Sequence, residues 1–176
     1  MSKMKRYIIV TAISLIFAVF GQNSMAQTLK FGHINRDELI QSMPEFDSAT
    51  ASLEKMRTQF VNELELLQVE FNNKYETYLK EMKNYTDLVR QTREQELADF
   101  QTRMQTFQNN ASTKLQEQQV TLFTPITEKA DKAISAVGKE NGFIYIFNTS
   151  GGQISYIDES KSINVLPLAK AKLGLK

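Results

Sequence analysis

The sequence predicts a mostly α, α+β protein: a small β-rich oligomerisation body carrying a long antiparallel helical-hairpin arm of coiled-coil-like character. Three observations carry this prediction. A polar stretch from about Pro44 to Asn141 places apolar residues at helical spacing, and a charged segment interrupts it once near its middle. Short runs rich in β-branched and aromatic residues flank it on both sides.

The first arm helix is read from Leu53, Met56, Phe60, Leu64, Leu67, Phe71, Tyr75, Tyr78, Met82, Tyr85 and Val89, each 3 or 4 residues from the next. After the charged break at Arg90 to Glu96 the pattern resumes with Leu97, Phe100, Met104, Phe107, Ala111, Leu115, Gln118 and Leu122. The tip is therefore expected near residues 88–96. Pro44 suits the first turn of a helix, where its missing N–H costs nothing, and Asp47 suits the positive end of the helix dipole. Pro125 predicts a kink or a fresh helix start, with a bend where the arm meets the body.

The body is read from both ends of the chain. Leu29 to Ile34 forms a strand, and Arg36 to Ser42 a first helical turn or two. Phe143 to Phe147 forms a second strand. The turn Asn148-Thr149-Ser150-Gly151-Gly152 then leads into a further strand from Gln153 to Ile157, completing a strand hairpin. A closing helix is expected from about Ile163 to Leu173, with Pro167 near its start. So few short strands bury too little apolar surface to stand alone, and oligomerisation through the body is the natural remedy. The expected organisation is thus residues 27–43 and 142–176 as the two parts of the body, and residues 44–141 as the arm.

Residues 1–26 read as a secretory signal peptide. Lys3, Lys5 and Arg6 precede the apolar run Tyr7 to Phe20, and Ser24-Met25-Ala26 places small residues for cleavage before Gln27. That run falls short of the ~20 residues a spanning helix needs. Without the segment's three basic residues, 18 of 21 remain against 20 acidic ones, so the mature chain is near −2. Bulk charge thus points away from nucleic acid.

The chain has no cysteine and a single histidine, His33, which excludes a disulfide framework, a thiol nucleophile and a His- or Cys-built metal cluster. It has no phosphate-cradling glycine loop followed by lysine, no GxSxG and no HExxH. No cofactor and no catalytic residue are expected, and the protein reads as a non-enzyme. The Asp and Glu residues of the arm recur among Lys and Arg at solvent-facing positions, as on a solvated helix face.

An arm without an enclosed core works by surface contact. Phe60, Phe71, Tyr75, Tyr78, Met82, Tyr85, Phe100, Met104 and Phe107 either pack the two helices together or form a soft surface for many apolar sequences, a task suited to methionine and aromatics. Phe31, Ile34, Phe143, Tyr145, Phe147, Ile154 and Tyr156 are the candidates for contacts within an oligomeric body.

The order of motifs resembles the Skp/OmpH family of periplasmic chaperones. Lys30-Phe31-Gly32-His33-Ile34-Asn35 and Leu39-Ile40-Gln41-Ser42-Met43-Pro44-Glu45-Phe46 look like the family's opening, in a form similar to Bacteroidetes-type members. Pro125-Ile126, Ala133-Ile134, Glu140-Asn141-Gly142-Phe143 and Gly151-Gly152 before Ile154-Ser155-Tyr156 resemble its return into the body. The resemblance implies a homotrimer with a β-rich trimerisation body, whose arms enclose a cavity. It implies an ATP-independent holdase for unfolded outer-membrane β-barrel proteins, which passes them to the outer-membrane assembly machinery. Familiar members are strongly basic, whereas this mature chain is near −2, so no lipopolysaccharide site is carried over. The alternative is a secreted structural or adaptor coiled coil of the cell envelope.

Overall fold

The computed structural model describes residues 29–175, and the signal peptide expected at residues 1–26 lies outside the described residues. Strand β1 is Lys30–Ile34, and helix α1 follows at Arg36–Gln41. Asn35 caps α1: its side-chain oxygen accepts from the backbone N–H of Glu38, and Asp37 and Glu38 place negative charge on the first turn. Helix α2 runs over Pro44–Glu81, with Pro44 in its first turn as the sequence implies. At 1.5 Å per residue its 38 residues extend about 57 Å.

The hairpin turns earlier than the charge pattern suggests. A short 3-10 turn at Met82–Asn84 ends α2, and α3 begins at Asp87 and runs to Glu140. Thr86 sets this start, because its hydroxyl accepts from the N–H of Val89. The charged segment Arg90 to Glu96, expected at the tip, lies inside α3. Its charges pair locally instead of breaking the helix: Arg90 with Asp87 at 2.7 Å, and Arg93 with Glu96 at 2.7 Å.

Pro125 starts no new helix, since α3 continues through it. Proline withholds the N–H that the carbonyl of Thr121 would otherwise accept. The Thr127 hydroxyl donates to the carbonyl of Thr124 at 2.8 Å in the same turn. Elsewhere on the long helices Thr58, Thr77, Thr92, Thr102, Thr113 and Thr121 donate to the carbonyl four residues back, which accommodates a poor helix former.

Strands β2 (Phe143–Asn148) and β3 (Ser162–Asn164) flank β1 in the order β2-β1-β3. β3 runs parallel to β1, in the register Phe31 with Ser162, Gly32 with Ile163 and His33 with Asn164. This corrects two expectations. Gln153 to Ile157 forms no strand, and the strand that pairs with β1 lies further on, at residues expected to begin the closing helix. Two bonds place it there: His33 Nδ1 meets Ser162 Oγ at 2.9 Å, and the Val165 N–H donates to the His33 carbonyl; Asn164 Oδ1 then accepts from the Leu166 N–H where the next helix starts. Helix α4 then occupies only Leu166–Lys172.

Meanwhile the Thr149-Ser150 segment is drawn onto β1 and the start of α1. The Thr149 N–H donates to the Ile34 carbonyl, and the Ser150 hydroxyl accepts from the Asp37 N–H. Gly151 and Gly152, at φ 78° and 69°, carry the chain away from the sheet.

The core gathers Ile34, Leu39, Ile40, Met43, Ala49, Ile126, Ala130, Val137, Val165, Leu166 and Ala169 where α1, α4 and the sheet meet the root of the hairpin. Phe46 and Phe123 pack edge-on at its margin, 5.4 Å apart. Gly32 lies beneath this layer, where an added Cβ would sit 3.0 Å from Val165 Cγ1 and 3.2 Å from Ile146 Cγ1. Gly32→Val therefore overpacks the sheet against the core. It should lower stability by roughly 2 kcal/mol, measured by urea unfolding of the mature chain; an unchanged midpoint would refute the close packing.

Candidate functional site

No buried polar or charged side chain occurs among the described residues, and no group of three or more His, Asp or Glu there has metal-binding geometry. The chemistry on offer is that of exposed surface along the hairpin and at the sheet. The helices α2 and α3 meet along one row of side chains. Leu53, Met56, Phe60, Leu64, Leu67, Phe71 and Tyr78 from α2 are half-buried, as are Leu97, Met104, Phe107, Ala111, Leu115 and Leu122 from α3.

Phe100 is the deepest of the arm's aromatics, at 5% exposure. Phe71 packs on it with ring centres 6.1 Å apart, and the Arg103 guanidinium lies 4.1 Å from its centroid. Phe60 and Phe107 meet edge-on at 6.1 Å.

At the tip, the Tyr78 hydroxyl donates to Glu94 Oε1 at 2.6 Å and the Tyr85 hydroxyl to Glu81 Oε2 at 2.9 Å. Each phenol is pushed above its ordinary pKa, chiefly because its proton is held by that carboxylate. At the root, ion pairs radiate from α3 to its neighbours. Arg36 makes a two-pronged contact with Asp131 at 2.6 and 2.9 Å, Lys129 donates to Glu45, and Lys172 donates to Glu140. Lys170 reaches Glu38 at 3.5 Å, linking α4 to α1.

The candidate arm residues thus divide. Phe60, Phe71, Tyr78, Phe100, Met104 and Phe107 lie in the seam, and Tyr85 is half-buried at the turn. Tyr75 and Met82 are exposed. The body candidates divide too. Ile34 is buried in the chain's own core and has no surface to offer another chain. Phe31, Phe143 and Ile154 are half-buried, whereas Tyr145, Phe147 and Tyr156 are exposed. Phe31 stacks on Tyr145 with planes 3° apart, and Tyr145 contacts Phe147 at 6.0 Å. Phe31, Phe147, Ile154, Tyr156 and Ile157 line a shallow apolar cleft with Ser162.

Several exposed apolar residues escaped the sequence reading: Val61, Leu66, Val69, Leu79, Leu88 and Val120 on the hairpin, and Ile144 on β2. Their signal was negative. Each hairpin residue of this set falls between the 3- and 4-residue steps of the seam, so a search for periodicity passes over it.

A family model described as "Outer membrane protein (OmpH-like)" matches residues 30–173. No curated protein matches the chain significantly.

Two predictions follow from the seam and the root. Phe100→Ala opens the most enclosed point of the hairpin and should cost about 3 kcal/mol, with faster amide exchange at residues 60–110. Unaltered exchange there would show that the helices do not depend on this contact. The Lys129 bond holds the Glu45 carboxyl below its ordinary value of 4.5. A depressed carboxylate stabilises the fold above its unfolded pKa and loses that contribution as pH falls through the folded pKa. Thermal stability should therefore fall on acidification below about pH 4.5, and Glu45→Gln should fall less steeply over that window than the parent. Parallel pH profiles for the two would contradict the assigned pairing.

Proposed function

The chain belongs to the OmpH-like family of outer-membrane-protein chaperones, and from that premise we propose that it is an ATP-independent periplasmic holdase. Residues 29–43 and 142–175 form the body, and residues 44–141 form an arm. Three copies join through their bodies, and their arms surround an unfolded outer-membrane β-barrel protein until the assembly machinery receives it. The observation that carries this reading is a long hairpin with no enclosed pocket chemistry and with large aliphatic side chains exposed along it. A barrel strand in the unfolded state alternates apolar and polar residues and aggregates when unprotected. Many weak contacts on an open arm hold such a chain without imposing a fold, and release needs only a more favourable destination. Exposed Tyr145, Phe147 and Tyr156 beside a three-stranded sheet support association through the body.

A secreted structural or adaptor coiled coil is the second reading. It is favoured by the seam, which engages most of the arm aromatics in holding α2 to α3. One experiment separates the two. A β-barrel membrane protein unfolded in urea is diluted into buffer with the mature chain and no nucleotide, and light scattering is followed against protein ratio. The holdase suppresses scattering and saturates near one barrel per three chains. Aggregation unchanged at excess chain would leave the structural coiled coil.

A further inference from the structure

The two helices of the hairpin do not present equivalent outer faces. Between Ala98 and Lys114, every α3 residue outside the seam is a polar or charged residue or alanine: Gln101, Thr102, Gln105 and Asn109 are typical. Opposite this stretch, α2 turns Val61, Leu66 and Val69 away from the seam, at 56%, 64% and 51% exposure. These three stand between Phe60, Leu64, Leu67 and Phe71, so they contribute nothing to closing the hairpin. Three large aliphatics left in water on one helix, facing a stretch of the partner helix whose outer face has none between Ala98 and Lys114, mark mid-α2 as the working side.

Charge says what occupies it. The same stretch carries exposed Glu63, Glu65 and Glu70, and no lysine or arginine occurs between Arg57 and Lys74. Glu70 pairs with Lys74 at 3.5 Å, whereas Glu63 and Glu65 form no ion pair among the described residues. Packing this face against the same face of another copy would bring like carboxylates together, which disfavours self-association. An occupant that brings both apolar side chains and positive charge is complementary on both counts.

We infer that the outer face of mid-α2, built on Val61, Leu66 and Val69 with Glu63 and Glu65, takes up extended unfolded segments in which apolar residues alternate with lysine or arginine. This rests on the holdase reading and deepens it: the seam aromatics hold the arm together, the off-seam aliphatics grip the captured chain, and the carboxylates select basic segments. The selection runs opposite to that of a strongly basic arm.

The test uses the mature full-length chain and two unstructured fluorescent peptides of equal length and identical apolar content. One has lysine at the intervening positions and the other has glutamate. Anisotropy should give about fivefold tighter binding of the lysine peptide. Val61→Gln, Leu66→Gln and Val69→Gln together keep helix propensity and should weaken binding of the lysine peptide about tenfold. Glu63→Gln with Glu65→Gln should bring the two peptides to near-equal affinity. Circular dichroism and sedimentation of each variant separate loss of the surface from loss of fold or assembly.

Equal affinity of the parent for both peptides would overturn the inference, as would a glutamine triple variant that binds as the parent does. So would a triple variant that changes assembly mass while peptide affinity stays constant, which would make this face a subunit contact. Barrel aggregation distinguishes the layers. If the parent suppresses it and the triple variant suppresses it equally, the holdase stands and this surface falls. If the parent fails to suppress it, the holdase reading itself falls.

Discussion

Everything in this molecule hangs on a seam one side chain wide. Two helices pressed together along a single row leave most of each surface in water, so between Thr50 and Pro125, beyond the root, almost no residue is enclosed as a globular core residue is. Phe100 comes nearest, and even there Arg103 covers one ring face with a guanidinium instead of another apolar layer. Cohesion is thus spread over many half-buried contacts, each worth a fraction of full burial. Such an arm is long and cheap to solvate, and its outer faces are free to meet other chains.

The root is where that economy ends. Ala130, Ala133 and Val137 give α3 a narrow face, which lets other elements approach closely: α1 brings Leu39 and Ile40, and α4 brings Ala169. β3 is only three residues long, so the sheet gains its stability by packing against this helical root. The ion pairs around it are exposed and individually weak, but they radiate from α3 to α1, α2 and α4. Their contribution is orientation: they fix which face of α3 the body grips.

How much of this was legible follows from the physics of each segment. The seam was written plainly, because amphipathic spacing is a local signal and the hairpin has no competing core to override it. The tip falls earlier than the charges imply, because charge does not break this helix. Arg90 and Arg93 are satisfied helically by Asp87 and Glu96, and the true boundary is set by one hydroxyl, that of Thr86. The sheet was harder still. Gln153 to Ile157 has strand composition, but pairing with β1 is decided by the distant contacts of Ser162 and Val165 with His33. No local pattern announces a three-residue parallel strand. The same blindness hid Val61, Leu66 and Val69, since a method that looks for the periodic residues discards those that break the period.

That omission has a physical meaning. A side chain cannot both close the seam and grip a passing polypeptide, because withdrawing it for the second task exposes its partner across the helix pair. Phe60 and Phe107, or Phe71 and Phe100, are committed to each other. Residues available for capture must lie off the seam, where an aliphatic side chain gains nothing from folding and is kept in water at a standing risk of self-association. Glutamates interleaved with those aliphatics reduce that risk, since two such faces repel, and the same charges make a basic apolar chain the favoured visitor. In an arm of this build, the residues that agree with the helical pattern explain the fold, and the function is to be sought in the residues that break it.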